Sequence, residues 1–299
     1  MTALTATAAP AGRPALRPGG LLWAVLRLHR TALVLWGLAL FAAAAFLVRL
    51  AALADEAERG SGACAIPAHD GLPSCAAVDA ITADEAYSTG IALVTGALAF
   101  LIFPVAAWAG GVLIGRELEN GTAQWAWAQS VSPTRWLAAK LAVPAALLAA
   151  GTSAVVLLGA WARGEDNPNL VGDWYHPDVF VGTGPTAVAH ALAGLALGAL
   201  AGMLFARALP AAGAALTASL VLFNLLERHR EDLWPTVTRD KAGWEVPRSA
   251  MQVSSTQTQV SVHPRSHFWP LQYVESGILL ALAAVAVLTA FRLLRRRTV

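Results

Sequence analysis

The sequence predicts an all-α integral membrane protein with about six transmembrane helices. Hydrophobic residues make up 57% of the 299 residues and charged residues only 13%, whereas a soluble domain carries roughly 25% charge. The apolar residues fall in runs near the length of about 20 that crosses the hydrocarbon core of a bilayer. Charged residues lie almost entirely between these runs, which is the pattern of a multi-spanning protein.

The apolar runs divide the chain into a membrane domain, residues 32–294, and two flanking tails. The predicted spans are residues 32–52, 88–115, 137–162, 183–206, 208–226 and 273–294. Residues 1–31 form a cytoplasmic tail that includes an amphipathic interface helix at Leu22–Arg30, because its apolar side chains share one helical face. A simple extension of the first span is the alternative for that segment. Residues 295–299 form a basic tail.

The distribution of charge predicts the orientation of the spans. With the N-terminus inside, the inner segments hold 12 of the 21 basic residues and only 2 of the 19 acidic ones. Cytoplasmic segments of membrane proteins are enriched in lysine and arginine. We therefore expect both termini on the cytoplasmic side, which requires an even number of spans.

The two cysteines, Cys64 and Cys75, lie in the first outer loop, in CAIPAHDGLPSC. The outer side of a cell membrane is oxidising, and the prolines and glycine between the cysteines favour turns that bring them together. We expect a disulfide. Two free thiols are the alternative, and a metal site is disfavoured because only His69 lies between the cysteines.

The spans contain few groups that carry protons or ions. His190 is the titratable residue within span 4, Asn224 lies near the end of span 5, and Glu275 lies near the outer end of span 6. A proton-driven transporter places ionisable groups deep in its spans. We therefore interpret His190 as a hydrogen-bonded packing residue and expect no buried proton relay.

Motifs of enzymes and ATPases are absent from the sequence. It contains no HExxH, no GxSxG and no GxxxxGK[ST], the motifs of zinc proteases, serine hydrolases and P-loop ATPases. His263 and His267 lack a nearby third ligand for zinc. Asp173, His176 and Asp178 form a possible cation site, but a solvated interfacial loop is the favoured interpretation. We expect no catalytic, cofactor or metal site in this chain.

Glycines repeat every four residues along span 4, at Gly194, Gly198 and Gly202. Such stripes allow two helices to approach closely. We expect them to pack within the chain, with a dimer seam as the alternative.

The inner segment between spans 2 and 3, RELENGTAQWAWAQSVSPTRWLAAKL, is polar, aromatic and short. Ser132 and Pro133 indicate the start of a helix, because serine caps a helix and proline suits its first turn. Trp125 and Gln129 lie four apart and share a helical face. A short helix here is suited to docking a soluble partner, and an ordinary connection with interfacial tryptophans is the alternative.

This segment resembles the permeases of type-2 ABC exporters, particularly their bacterial drug-export-like branch. The matching residues are Glu117, Gly121, Thr122, Ala123, Gln129, Ser130, Val131, Arg135, Trp136 and Lys140. A second match precedes the last span, where these permeases carry an aromatic–Trp–x–x–Gln–x–x–Glu pattern. Its residues here are Phe268, Trp269, Gln272 and Glu275.

The resemblance implies an ATP-driven permease of the bacterial cytoplasmic membrane, acting in efflux of an amphipathic or lipid-like substrate such as a drug, peptide or lipid. Two permease copies would pair, as a homodimer or a heterodimer, and would dock two ATP-binding subunits that hold ATP and Mg²⁺. The chain itself would be no enzyme, would contact membrane lipid and would bind no nucleic acid. The residues implied in coupling are Glu117, Gly121, Thr122, Trp125, Gln129, Ser130, Arg135 and Trp136.

The resemblance also implies an outer gate, formed by Trp269, Gln272 and Glu275 at the start of the last span. Short re-entrant outer helices would precede that span and cap the exit, one around Leu222–Trp234 and another around Pro264–Gln272. Two other functions stay open from the residues alone: a non-transporting membrane scaffold or sensor, and a membrane enzyme that acts on lipid or peptide through Asp173, His176 and Asp178.

Overall fold

A computed structural model describes residues 26–27, 30–64, 78–129, 131–164 and 167–298. Its α-helices are α1 (Arg30–Cys64), α2 (Val78–Glu119), α3 (Thr122–Ala128), α4 (Pro133–Ala162), α5 (Pro168–Val171), α6 (Pro177–Gly182), α7 (Pro185–Phe205), α8 (Ala208–His229) and α9 (Phe268–Thr298). Among these, α1, α2, α4, α7, α8 and α9 are long and apolar enough to cross a membrane. The predicted fold class, an all-α protein with six spans, is therefore confirmed.

Three sequence-based expectations fall largely outside the described residues. Most of the interface helix at Leu22–Arg30 lies there, as does Cys75, so the disulfide with Cys64 stays a prediction. Ser130, at the end of the inner motif, also lies outside them.

The bundle is organised around α7, whose small residues bring neighbouring helices into close contact. A Cβ atom on Gly198 would lie 2.6 Å from the backbone nitrogen of Gly111 in α2, so only glycine fits there. Gly194 and Gly202 face Ala106 and Ile114 of the same helix. The glycine stripe of α7 therefore packs against α2 of the same chain, at a separation that side chains would prevent.

The two ends of the bundle differ in structure. One end, called here the terminal face, carries the start of α1, the connection from α2 to α4, the connection from α7 to α8, and the end of α9. The opposite end, called here the sheet face, carries α5, α6 and a three-stranded sheet that precedes α9.

The sheet corrects the prediction of re-entrant helices before the last span. Strands β1 (Val237–Asp240), β2 (Met251–Ser255) and β3 (Gln259–His263) form an antiparallel sheet in the order β1-β3-β2. In β3, Val260 and Val262 are buried and alternate with a more exposed serine. This period of two suits a strand with one covered face.

The two segments expected to form the re-entrant helices extend the spans instead. Leu222–His229 is the last part of α8 and continues into a 3₁₀ turn at Arg230–Asp232. A second 3₁₀ turn, Arg265–His267, leads directly into α9. A short buried helix does occur elsewhere on this face: α6 packs into the bundle, where Gly182 contacts the backbone of Thr95 in α2.

Candidate functional site

The connection from α2 to α4 on the terminal face contains the short helix α3. Helix α2 ends at Glu119, and Gly121 adopts a left-handed conformation with φ of 70°, which costs glycine little. Helix α3 follows directly. The side chain of Ser132 then accepts a hydrogen bond from the backbone nitrogen of Arg135 at 3.4 Å and caps α4, as the sequence predicted.

Glu117 anchors this connection to the start of α4. Its two carboxylate oxygens accept hydrogen bonds from the indole nitrogen of Trp136 at 2.8 Å and from the Nζ atom of Lys140 at 2.5 Å. Lys140 and Trp136 are buried, and the ring of Trp127 from α3 packs edge-on against Trp136 at 5.6 Å. A buried charge pair is tolerated when it is also well hydrogen-bonded, and here it joins α2, α3 and α4.

The opposite surface of the connection is exposed. Trp125 on α3 is 73% exposed, and Gln129 and Arg135 are also exposed. Thr122 donates a hydrogen bond from its hydroxyl to the backbone oxygen of Glu117 at 3.3 Å. The predicted coupling residues thus separate into a buried anchor, Glu117 and Trp136, and an exposed surface that contains Trp125.

A second polar cluster lies at the start of α9. Gln272 is fully buried, and its Oε1 atom accepts hydrogen bonds from the backbone nitrogen and the hydroxyl of Thr186, at 3.1 and 2.7 Å. Its Nε2 atom donates to the backbone oxygen of Phe180 at 2.6 Å. Gln272 therefore ties the last span to α6 and to the first turn of α7, where the helix leaves backbone donors free.

Glu275 lies one helical turn further along and is also fully buried. Its carboxylate accepts hydrogen bonds from Nε of Arg230 at 3.0 Å and from a terminal nitrogen of the same guanidinium at 3.5 Å. The Nε2 atom of His190 lies 3.6 Å from Oε1 of the same carboxylate. The guanidinium also lies 4.0 Å from the centre of the Phe180 ring, a favourable contact for a cation.

Arg230 is absent from the predicted site residues, although its spacing along the sequence carries a signal. Ser219, Phe223, Leu226 and Arg230 follow one another on the buried face of α8 and its continuation. This helical spacing continues to Arg230, four residues beyond the end of predicted span 5 at residue 226. His190 contacts Phe103 and Phe223 with its ring, as a packing residue would, and it also faces Glu275.

Trp269 differs from the other two residues of the predicted outer gate. It is 52% exposed and stacks on Tyr273 with 5.8 Å between ring centres. The structure therefore places Gln272 and Glu275 inside the bundle and Trp269 at its surface.

Residues of the two candidate metal sites make hydrogen bonds within the protein. The Nδ1 atoms of His263 and His267 lie 3.0 Å apart, and Nε2 of His263 lies 2.9 Å from the backbone oxygen of Glu231. Asp173 accepts a hydrogen bond from the hydroxyl of Tyr175 at 3.1 Å, and burial raises the pKa of Tyr175, with a further contribution from Asp173. Across the described ranges, no group of three or more histidine, cysteine, aspartate or glutamate residues is arranged to hold a metal ion.

The chain matches the model of one protein family. Residues 35–229, which are about two thirds of the chain, match the model of the family described as ABC-2 membrane transporter related. No curated protein and no solved structure matches the chain. The matched region covers α1 from residue 35 onward, all of the next four long helices and the α2–α4 connection. The chain is therefore a multi-pass membrane protein that belongs to the ABC-2 membrane transporter related family and is an ABC transporter permease.

Proposed function

We propose that this chain is the permease subunit of an ATP-driven exporter, and that separate ATP-binding subunits hold ATP and Mg²⁺ and dock on helix α3. The observation that carries this proposal is the anchored α2–α4 connection. It exposes Trp125 on one side and is fixed to two long helices by Glu117 on the other. The membership of the ABC-2 family supports a partnership with ATP-binding subunits.

The contacts of α3 offer a path for movement from the partner to the spans. A force on Trp125 would tilt α3, and the packing of Trp127 on Trp136 would pass that tilt to the start of α4. The Glu117–Lys140 pair would move the end of α2 at the same time. Because α2 packs tightly on α7 through Gly198, the displacement would reach the centre of the bundle.

We propose the cytoplasmic membrane of a bacterium as the location, with the terminal face in the cytoplasm. The charges support this orientation. Helix α9 ends in Arg295, Arg296 and Arg297, and Arg116 and Arg207 lie at the same end of the bundle. Cytoplasmic segments carry such an excess of basic residues.

We further propose that two copies pair to form the transport pathway, as a homodimer. Helix α8 supports this with exposed small and polar residues among its apolar ones, namely Gly213, Thr217 and Asn224. Asn224 satisfies one of its amide hydrogens on the backbone oxygen of Leu220. Small and polar residues on a lipid-facing surface are suited to contact between helices.

The proposed cargo is an amphipathic or lipid-like molecule that leaves the cell. The support is the apolar character of the long helices, whose exposed faces present large side chains such as Phe41, Leu101 and Trp108. A cargo with an apolar part would contact such surfaces favourably.

The proposal is tested by copurification. The tagged chain is expressed with the candidate ATP-binding subunit of the same genome, and the amount of that subunit bound in detergent is measured. Trp125→Ala should weaken binding by about 30-fold or more, the effect of losing an aromatic hot spot worth about 2 kcal/mol. Trp161→Ala is the matched control, because Trp161 is 59% exposed but lies at the end of α4 on the sheet face.

Equal binding by the wild type and both variants would contradict docking on α3. An absence of any bound ATP-binding subunit would contradict the proposed function as a whole. Turnover of a lipid or peptide by the purified chain alone would favour a membrane enzyme instead.

A further inference from the structure

A cavity of about 460 Å³ opens on the sheet face, between the end of α4, the segment that carries α5 and α6, and the start of α9. Its volume falls within the roughly 300–1,000 Å³ of small-molecule sites. The side chains that define its character are Arg163, Asp173, Trp174, Arg265, Phe268 and Trp269. The wall therefore combines aromatic rings with charges of both signs.

The aromatic residues near the cavity place it at the level of the membrane interface. Trp161, Trp269 and Tyr273 are exposed close to it, at the sheet-face ends of α4 and α9. Exposed tryptophan and tyrosine collect where headgroups meet the hydrocarbon core. A molecule that enters this cavity from the bilayer would therefore place its headgroup, and not its chains, among these charges.

Asp173 supplies the most specific feature of the cavity. Its Oδ2 atom accepts the hydrogen bond from Tyr175, whereas its Oδ1 atom is buried without a hydrogen-bond partner among the described residues. A buried carboxylate oxygen without a donor is costly. The Asp173 side chain as a whole is 15% exposed and lines the cavity, so a ligand with a positively charged donor would pair with its negative charge. The ring of Trp174 lines the same cavity and favours a cation.

We propose that this cavity binds the zwitterionic headgroup of a phospholipid, with the ammonium on Asp173 and the phosphate on Arg163 and Arg265. A guanidinium has five donors, so it can bind a phosphate while it keeps another partner. The inference rests on the proposed function, because it names the zwitterionic phospholipid as the amphipathic molecule that the permease binds on its outer side.

The test measures binding of short-chain lipids to the purified full chain in detergent, by native mass spectrometry and without any ATPase. Dioctanoyl phosphatidylethanolamine carries both charges, and dioctanoyl phosphatidylglycerol carries the phosphate alone. The wild type should bind the first at least about tenfold more tightly, the effect expected of one charge-assisted hydrogen bond. Equal binding of the two lipids by the wild type would overturn the proposal, whatever the variants do.

Two variants separate the two charges. Asp173→Asn should remove most of the preference for phosphatidylethanolamine and leave phosphatidylglycerol binding unchanged or stronger. Arg265→Gln should weaken the binding of both lipids by a similar factor. The control is Asp240→Asn, because Asp240 is an exposed carboxylate at the end of β1 and does not line the cavity.

The proposal is overturned if Asp173→Asn changes the affinity for both lipids equally, or if Arg265→Gln changes neither. Free O-phosphoethanolamine tests whether the ligand is a lipid or a soluble molecule with the same charges. If it binds as tightly as the lipid, the proposal of a lipid headgroup is overturned in favour of a soluble zwitterion. Failure of the ATPase to copurify would leave these affinities unaffected, so the two proposals fail separately.

Discussion

The buried pair between Arg230 and Glu275 leads to the sharpest prediction about stability. Replacing Arg230 with methionine leaves Glu275 buried without its main partner, while the methionine keeps an apolar contact with the ring of Phe180. Breaking a buried charge pair costs roughly 3–5 kcal/mol. We expect about 3 kcal/mol for Arg230→Met, the lower end of that range, because His190 still lies 3.6 Å from the carboxylate.

The assay is the free energy of unfolding of the purified chain in mixed micelles, measured by titration with sodium dodecyl sulfate. The matched control is Arg228→Met, because Arg228 is exposed two residues earlier in the chain, and surface changes usually stay within about 0.5 kcal/mol. The double variant Arg230→Met/Glu275→Leu should recover much of the loss, because neither charge then remains buried alone. The reasoning is refuted if Arg230→Met costs no more than Arg228→Met.

Three further predictions use the same unfolding measurement. Gly198→Ala should lower the free energy of unfolding by about 1–3 kcal/mol through overpacking, because its Cβ would meet backbone on α2. The control Gly159→Ala, whose Cβ would have nothing within 4 Å, should raise it by up to about 1 kcal/mol through helix propensity. Equal effects would contradict the close approach of α2 and α7. Gln272→Leu should cost about 2–3 kcal/mol, since it leaves buried groups on α6 and α7 unpaired, and a neutral result would rule out those bonds. Lys140→Met should lower the free energy of unfolding by about 2 kcal/mol, because it removes the cation that pairs with Glu117. Adding Glu117→Gln to this variant should lower it by less than Glu117→Gln does in the wild type, and full additivity of the two changes would contradict a direct pair.

The number and class of the membrane helices could be predicted from the sequence because apolar run length follows directly from bilayer thickness. The ends of these helices could not. Helix α1 continues through Asp55, Glu56 and Glu58 to Cys64, twelve residues beyond the predicted span. Hydropathy marks the part of a helix that lies in lipid, whereas backbone hydrogen bonds continue where charged residues are solvated.

The candidate sites were predictable where they depend on local sequence. Gly121, Ser132 and Pro133 shape the α2–α4 connection through turn and capping preferences that a single segment contains. The contact between Arg230 and Glu275 joins residues 45 positions apart. Such a pair depends on how α8 and α9 pack, which no local pattern describes.

The three-stranded sheet was not predicted for a related reason. The resemblance implies short helices around Leu222–Trp234 and Pro264–Gln272 and no strand between them, although QVSVH at 259–263 alternates as a strand does. The strand is only five residues long, and its partners are β1 and β2 on either side. Short alternating segments carry a weak signal until their partners are known.

The central claim is that a partner ATPase acts on this chain through α3. The most direct measurement is the rate of ATP hydrolysis by the ATP-binding subunit, alone and assembled with the chain in nanodiscs. We expect the rate to rise on assembly with the wild type and with Trp161→Ala, and to return toward the rate of the isolated subunit with the double variant Trp125→Ala/Arg135→Ala, whose two positions are exposed on the docking surface. An identical rate for the wild type and the double variant would contradict the account.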